Sequence, residues 1–426
     1  MDKLFEKTVE SISEIVKFDS SRKPAQNGMP FGAQTAECLD YFLSLAKSFG
    51  FETKNYDNYI GEVIFGEGEE FAVLAHLDVV PAGGGWTHDP FGGEIDYKNA
   101  RVWGRGTMDD KGPAVIALYC LKQLKDEGFI PKKKIKLIVG CNEEDGWECI
   151  DYYVKHAHMP ETGFSPDADF PVIYAEKGIL QLILSFPAPL GFSGLKGGER
   201  ANMVCDLCEV YAVKDTEKLK KFNLSYENGK VISRGKSAHG STPALGVNAI
   251  DPVLGYLGLD EMRELLFGNN ALRAFKDETG ELTFSPNVIE QKDGKIKVVC
   301  DVRYPATYSK QNVLDVVDGW GIEYTVGHEQ SPLYNDRQCG LIKTLCGVYN
   351  EVTGKNVQPI AIGGGTYARA LKCGAAFGPE EFGEESTIHK PDEYITFEKI
   401  EKCLKIYTIG LDIYGIFGYN SSKVSR

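Results

Sequence analysis

Phe71-Ala72-Val73-Leu74-Ala75 is a short apolar run that stops at His76-Leu77-Asp78, and Lys134-Ile135-Lys136-Leu137-Ile138-Val139-Gly140 stops in the same way at Cys141-Asn142-Glu143-Glu144. The first run does not alternate, which is the pattern of a strand covered on both faces, as in parallel sheets. Between the two, Pro113 suits a first helical turn, and Val115, Leu118, Leu121 and Leu124 recur at helical spacing up to Gly128. The order strand, helix, strand predicts a right-handed crossover in a parallel or mixed sheet, hence an α/β fold. Ligands of such sheets gather beyond the carboxyl ends of the strands, where His76, Asp78, Glu143 and Glu144 fall.

Outward from this core, Leu4, Phe5, Val9, Ile12, Ile15 and Val16 predict one amphipathic helix, and Leu39, Phe42, Leu43 and Ala46 a second that stops at Gly50. Residues 60–65 read as a strand and 93–103 as a hairpin-like stretch. From about Leu180 the texture changes to alternating strands over 181–186 and 207–213, a hairpin at Asp293-Gly294, and helices near 248–258 and 309–319. After Tyr334 the α/β texture returns, with a helix over 339–352, a strand over 357–362 and a closing helix from about Phe397. The predicted organisation is a discontinuous α/β domain over 1–179 and 331–426 with a mixed, mainly parallel sheet, interrupted by an α+β insert over 180–330.

The 426 residues carry 47 Lys and Arg against 61 Asp and Glu, a net charge of −14, which argues against nucleic acid as a partner. Apolar residues at 42% and charged residues at 25% fit a folded soluble chain. No stretch nears the roughly 18 apolar residues of a membrane span, and Met1-Asp2-Lys3-Leu4-Phe5-Glu6 alternates charge where a signal peptide is apolar. A cytoplasmic protein without a membrane partner is expected. Eleven cysteines, an odd number in mostly apolar surroundings, suit reduced core thiols better than a disulfide framework. Only Cys205 and Cys208 have CxxC spacing; with no second pair nearby and Met203, Val204 and Val210 around them, a structural role is expected.

The carboxylates expected at one sheet edge, Asp78, Asp109-Asp110 and Glu143-Glu144, repel one another unless cations neutralise them. His76-x-Asp78 offers an imidazole with a carboxylate placed to hydrogen-bond the second ring nitrogen. Asp109, after Gly104-Arg105-Gly106-Thr107, reads either as a ligand bridging two ions or as an N-cap of the helix near Pro113, a role that Asp110 also fits. Glu143 and Glu144 point differently after a strand, so one can bind metal while the other serves as a base; the alternative is an exposed acidic turn. Asp167 lies in Ser165-Pro166-Asp167-Ala168, and His389 in the polar loop Ser386-Thr387-Ile388-His389-Lys390-Pro391. Gly363-Gly364-Gly365 before Thr366 and Arg369 lacks the Gly-Lys-Ser/Thr ending of a phosphate loop, and a loop with a helix N-terminus that cradles a carboxylate suits it better.

These segments, with Ser237-Ala238-His239-Gly240-Ser241-Thr242-Pro243, resemble the M20 family of metallopeptidases in their joint order, most closely its Xaa-His dipeptidase (dipeptidase V-like) branch. The resemblance implies a zinc-peptidase catalytic domain with an inserted, ferredoxin-like lid. It implies two Zn²⁺, one on His76, Asp109 and Asp167 and the other on Asp109, Glu144 and His389, with Mn²⁺ or Co²⁺ also suiting the donors. Glu143 would be the general base toward a water between the ions, and Asp78 would orient His76. His239 would donate to the oxyanion from the lid, Asn202 would add a polar contact, Arg303 would clamp a substrate carboxylate, and Gly364, Gly365, Thr366 and Arg369 would cradle the peptide's carboxyl end. The expected activity is hydrolysis of dipeptides or short peptides with a free N-terminus, by a monomer, with a homodimer as alternative. Two other chemistries are weighed: amide hydrolysis of N-acyl amino acids on the same scaffold, and an Fe(II) oxygenase using His76, Asp78 and His389, which leaves Glu143, Glu144 and Asp167 without work. A catalytically dead binding protein on this scaffold is opposed by the complete ligand set.

Overall fold

The computed structural model describes residues 3–417. It divides into two compact units, the first made of residues up to Tyr174, Asn335–Ile360 and residues from Thr366 on, the second of Ala175–Tyr334 and Ala361–Gly365. The predicted joints after 179 and 330 differ from the observed ones after Tyr174 and Tyr334. Residues 361–365, expected with the first part, cluster with the second unit.

In the first unit the sheet runs Glu52–Tyr56, Ile60–Phe65, Lys134–Gly140, Glu70–His76, Thr162–Ser165 and Cys373–Ala376. From Lys134–Gly140 to Cys373–Ala376 the strands are parallel, and the two preceding ones pair antiparallel, so the sheet is mixed with a parallel centre. Phe71 to His76 and Ile135 to Gly140 are buried without interruption, as their apolar character requires. Their register, Glu70 opposite Lys134 through His76 opposite Gly140, ends both strands at one edge. The crossover helix is Lys111–Asp126, whose residues from Lys111 to Leu121 are all buried. Lys3–Val16 and Phe397–Phe417 pack against it. Val115, Leu118 and Leu121 are fully covered, each contributing about 1.5–3 kcal/mol of apolar burial that holds the helix over the sheet.

The second unit is α+β. Its eight-stranded antiparallel sheet runs Ser225–Glu227, Lys230–Arg234, Leu207–Ala212, Phe192–Gly197, Thr283–Lys292, Lys295–Tyr304, Gly178–Pro187 and Glu323–Gln330, wider than a ferredoxin-like βαββαβ module. Leu180, Leu182 and Leu184 alternate inward along one strand and share a core with Ile250, Val253 and Leu254 of the Ile250–Leu257 helix and with Val313 and Val317 of Lys310–Asp318. The predicted hairpin at Asp293-Gly294 has both residues at positive φ, 50° and 73°, as a two-residue turn between twisted strands demands. All eleven cysteines are unpaired, and Cys205 and Cys208 lie in this unit's core.

Candidate metal centre

The parallel register brings four sequence-predicted residues to one edge. His76 ends its strand, Glu143 and Glu144 follow Lys134–Gly140, and Asp167 follows Thr162–Ser165. Asp109, just before the crossover helix, and His389, from the loop at the far end of the chain, complete two groups whose ligand atoms lie together: His76, Asp109 and Asp167, and Asp109, Glu144 and His389. Asp109 belongs to both. His76 Nε2 stands 2.9 Å from Asp109 Oδ1 and 3.5 Å from Asp167 Oδ2, while His389 Nε2 stands 2.8 Å from Asp109 Oδ2 and 3.0 Å from Glu144 Oε1. Glu143 belongs to neither group.

The donor set fits divalent cations on an observation separate from its chemistry. His76 Nε2 is buried and, despite those short distances, makes no well-directed hydrogen bond to either carboxylate. A nitrogen aimed between two carboxylates is placed for a cation shared with them. Electrostatics agree. Burial, then the charge of Asp109, pushes Glu144 up to about 7 and Asp167 up to about 6. Burial, reinforced by Asp167, Glu144 and Asp78, pushes Glu143 well above the usual carboxyl range. Burial acts the same way on Asp109, but His389 and His76 reverse it and hold that carboxyl far below. Burial disfavours charge on His389 too, yet Asp109 and Glu144 raise it to about 11. Protons on the imidazoles thus balance the carboxylates, and bound cations would replace those protons.

Asp78 stands beside His76 and has contacts beyond that ring. The ring atom His76 Nδ1 lies 3.0 Å from the backbone carbonyl of Asp78 and 3.6 Å from its carboxylate, so the carbonyl is the partner that orients the ring. The Asp78 carboxylate accepts the backbone N–H groups of Glu143 at 2.9 Å and Glu144 at 3.0 Å. It therefore fixes the backbone of Glu143 and Glu144 together, and it is not positioned as the carboxylate of a His76, Asp78, His389 iron triad. Asp110 stands at the N-cap position of Lys111–Asp126 but makes no capping hydrogen bond; it accepts from the His76 N–H instead, at 3.1 Å.

Other contributors were not singled out from sequence. Trp147 donates its indole N–H to Glu143 Oε1 at 3.2 Å, from a turn closed by Asn142 accepting the Glu148 N–H. Buried Tyr367 stands edge-on to His76 with ring centroids 6.0 Å apart, a placement that requires glycine at 140 because a Cβ there would meet the phenol. Glu393, fully buried, accepts the N–H groups of Gly106 at 3.0 Å, Met108 at 2.9 Å and Asp109 at 3.4 Å, and pairs with Arg105 Nη1 at 2.7 Å. It holds the loop that presents Asp109. Glu393→Ala strands a buried guanidinium and three amides, so it is expected to cost about 3–5 kcal/mol of stability, read by urea unfolding. A loss under about 1 kcal/mol would contradict this account of the loop.

In the second unit, Asn202 and His239 lie together, because Met203 pairs with His239 and the Gly240 N–H bonds the Asn202 carbonyl at 2.7 Å. His239 is exposed, and its Nδ1 faces the Ser241 N–H at 3.2 Å, which assigns the ring proton to Nε2. Gly363 lies close against Ser241. Arg303 is not an open clamp: its fork is taken by Asp301 at 2.6 and 2.8 Å, and Nη1 bonds the Gly363 carbonyl at 3.2 Å. The helix expected after the glycines is a four-residue 3₁₀ turn, Tyr367–Ala370, capped by Thr366 accepting from the Ala368 N–H. Gly364 and Gly365 belong to the second unit, and Thr366 and Arg369 to the first. His88, His156, His158 and His328 lie in no ligand group among the described residues.

A shared carboxylate between two histidine-containing groups, at the carboxyl edge of a parallel sheet, is a donor set that could hold metal ions. The family comparison is specific: residues 72–409 match peptidase family M20/M25/M40, and the chain belongs to that family of metal-dependent hydrolases. The beta-Ala-Xaa dipeptidase of Lactobacillus delbrueckii subsp. lactis is 34% identical over 444 aligned positions, covering 94% of this chain and 94% of that protein. Two solved structures share the fold: the dipeptidase Dug1p of Saccharomyces cerevisiae, with TM-score 0.62 at 13% identity over 97% of each chain, and the aminoacylhistidine dipeptidase of Vibrio alginolyticus, with TM-score 0.59 at 13% identity over 95% of this chain and 96% of that one. Among the described residues no helix is long and apolar enough to cross a membrane.

Proposed function

We propose that the chain is a dizinc dipeptidase that cleaves the peptide bond of dipeptides and short peptides with a free amino terminus. The observation that carries this reading is the pair of ligand groups sharing Asp109 beside a half-buried glutamate, Glu143, that belongs to neither. His76, Asp109 and Asp167 would hold one cation and Asp109, Glu144 and His389 the other; zinc suits these donors, as do manganese and cobalt. When bound, the cations supply Lewis-acid chemistry, polarising the scissile carbonyl and drawing the pKa of water toward about 7. Glu143, anchored through Oε1 on Trp147, takes the proton of the attacking water on Oε2 and delivers it to the leaving amine. Asp78 is a positioning residue that keeps the Glu143 backbone in place.

His239, with its proton on Nε2, is assigned the donation to the oxyanion, and Asn202 a second polar contact there. Gly364, Gly365, Thr366 and Arg369 keep the role of receiving the peptide's carboxyl end, while Arg303 becomes a positioning residue for the Gly363 carbonyl. A cavity of about 520 Å³ beside Asp78 and Glu144, lined by Pro24, Pro30 and Pro81 and by the charged Arg22, Lys23 and Asp145, has room for a substrate side chain. The name of the Lactobacillus relative favours dipeptides, β-alanyl ones included, over N-acyl amino acids. The proposed enzyme is cytoplasmic and acts as a monomer, a state that sedimentation of the zinc-loaded protein reads directly.

A panel of free and N-acetylated dipeptides, assayed with zinc-loaded protein, tests the reading. Faster turnover of the acetylated members would replace it with N-acyl amino acid hydrolysis. His239→Ala is expected to lower kcat by about 10²–10³-fold with bound zinc unchanged, the cost of one oxyanion donor. A kcat within about threefold of wild type would remove His239 from the mechanism.

A further inference from the structure

The two histidines of the metal centre are held in different ways. The His76 side chain is 1% exposed and its Nδ1 lies 3.0 Å from the Asp78 carbonyl. The His389 side chain is 50% exposed, and its Nδ1 makes no hydrogen bond to protein among the described residues. A ligand histidine is ordinarily aimed by a partner on its second ring nitrogen, so the aim of His389 must come from its backbone.

That backbone is a turn in which His389, at φ 61°, and Asp392, at φ 56°, both lie in the left-handed region. A histidine stays there only where its surroundings fix it. Asp392 ties the turn down: its Oδ1 accepts the N–H groups of Thr87 at 2.8 Å and His88 at 3.1 Å, and its Oδ2 accepts the Thr87 hydroxyl at 2.9 Å. The segment it grips is itself anchored, since the Trp86 indole donates to the Ala82 carbonyl at 2.8 Å and the Pro90 carbonyl accepts the Arg105 N–H at 2.8 Å. Gly85, at φ 92°, lies against Pro391, where a Cβ would stand 3.3 Å from the ring. All these residues belong to the first unit. The neighbouring Glu393 serves the other side, holding the loop of Asp109 through bonds that do not involve Asp392.

We propose that Asp392 is a positioning residue for one of the two metal groups: its three hydrogen bonds to Thr87 and His88 hold the turn that aims His389 Nε2 at the cation shared with Asp109 and Glu144. Removing the Asp392 carboxylate then weakens that group and spares the group of His76, Asp109 and Asp167. The proposal rests on the two-cation reading of the site.

The test titrates metal-free, full-length protein with zinc against a chelating indicator, and His389→Ala identifies which of two binding steps belongs to the His389 group. Asp392→Ala is expected to weaken that step by about 10–100-fold and to leave the other within about threefold of wild type. The thermal midpoint of the metal-free variant is expected to stay within about 2 °C of wild type. Asp392→Asn, whose amide oxygen can still accept both N–H groups, is expected to restore the affinity to within about threefold. Two binding steps unchanged in Asp392→Ala, or both weakened equally, or a metal-free midpoint lowered by more than about 5 °C, would overturn the proposal and make Asp392 a contact of the fold. Wild type that binds a single zinc ion would overturn the two-cation reading, and the proposal with it.

Discussion

Glu143→Gln is expected to lower kcat on a dipeptide by about 10²–10⁴-fold while the protein keeps its metal content and its thermal midpoint. The substitution isolates proton transfer. Glutamine preserves the shape and can still accept from the Trp147 indole, and the Glu143 backbone N–H goes on bonding Asp78. No ligand atom is removed, because Glu143 stands outside both ligand groups. What is lost is a group able to take a proton. Burial and three neighbouring carboxylates raise its proton affinity, and cations in the two groups would offset that repulsion, bringing the base toward the range where accepting and releasing a proton are both easy. Turnover and bound metal measured on one preparation decide the matter. A loss below about tenfold, or a parallel loss of metal, would give Glu143 a structural role and leave the base unassigned.

His76, Glu143 and Glu144 are legible because a fold rule places them, whereas Asp167, His389 and the grouping around Asp109 come from the family resemblance. Two apolar strands that stop at polar residues must end at one edge if they are parallel neighbours, and His76 opposite Gly140 shows that they are. Partners contributed by the backbone were not legible. The carbonyl beside the His76 ring and the amides that hold the Asp78 carboxylate have no side-chain signature, so the sequence shows the Asp78 carboxylate near His76, where it stands 3.6 Å from Nδ1, and not the two N–H groups it accepts. Arg105 and Glu393 form a buried pair across 288 residues of sequence, a distance at which only the folded chain brings complementary charges together. Arg303 is a different case. Asp301 lies two residues before it on one strand, where alternate residues share a face, so the pairing that occupies its fork could have been read from the periodicity. The joint after Tyr174 falls inside the short strand Ile173–Glu176 and the one after Tyr334 at the end of Leu333–Tyr334, where composition does not change and leaves no boundary mark.

Asp109→Asn is expected to abolish measurable hydrolysis and to remove most of the stabilisation that zinc confers. Asp109 gives one oxygen to each group, Oδ1 toward His76 and Oδ2 toward His389, and asparagine keeps a single carboxamide oxygen without charge. In wild type at zinc concentrations about 100-fold above the dissociation constant, one site adds about 2.7 kcal/mol to folding, about 5–10 °C in thermal midpoint for a domain of ordinary size. The variant, with one oxygen in place of two and no bridging charge, is expected to shift by no more than about 1–2 °C under the same conditions. The sign of the pH dependence follows from the imidazoles. Each must be neutral to bind a cation, and the cation must displace the proton that Asp109 and Glu144 help to hold on His389 up to about 11. The zinc-induced shift in wild type is therefore largest in alkaline buffer and shrinks as pH falls, and calorimetric titration is expected to show protons released on binding. Adding a strong chelator should return the wild-type midpoint to its metal-free value and leave the variant's where it was. An Asp109→Asn protein that still gained the full zinc shift would show that the cations are not bridged by this carboxylate, and the two-metal reading of the site would fall with it.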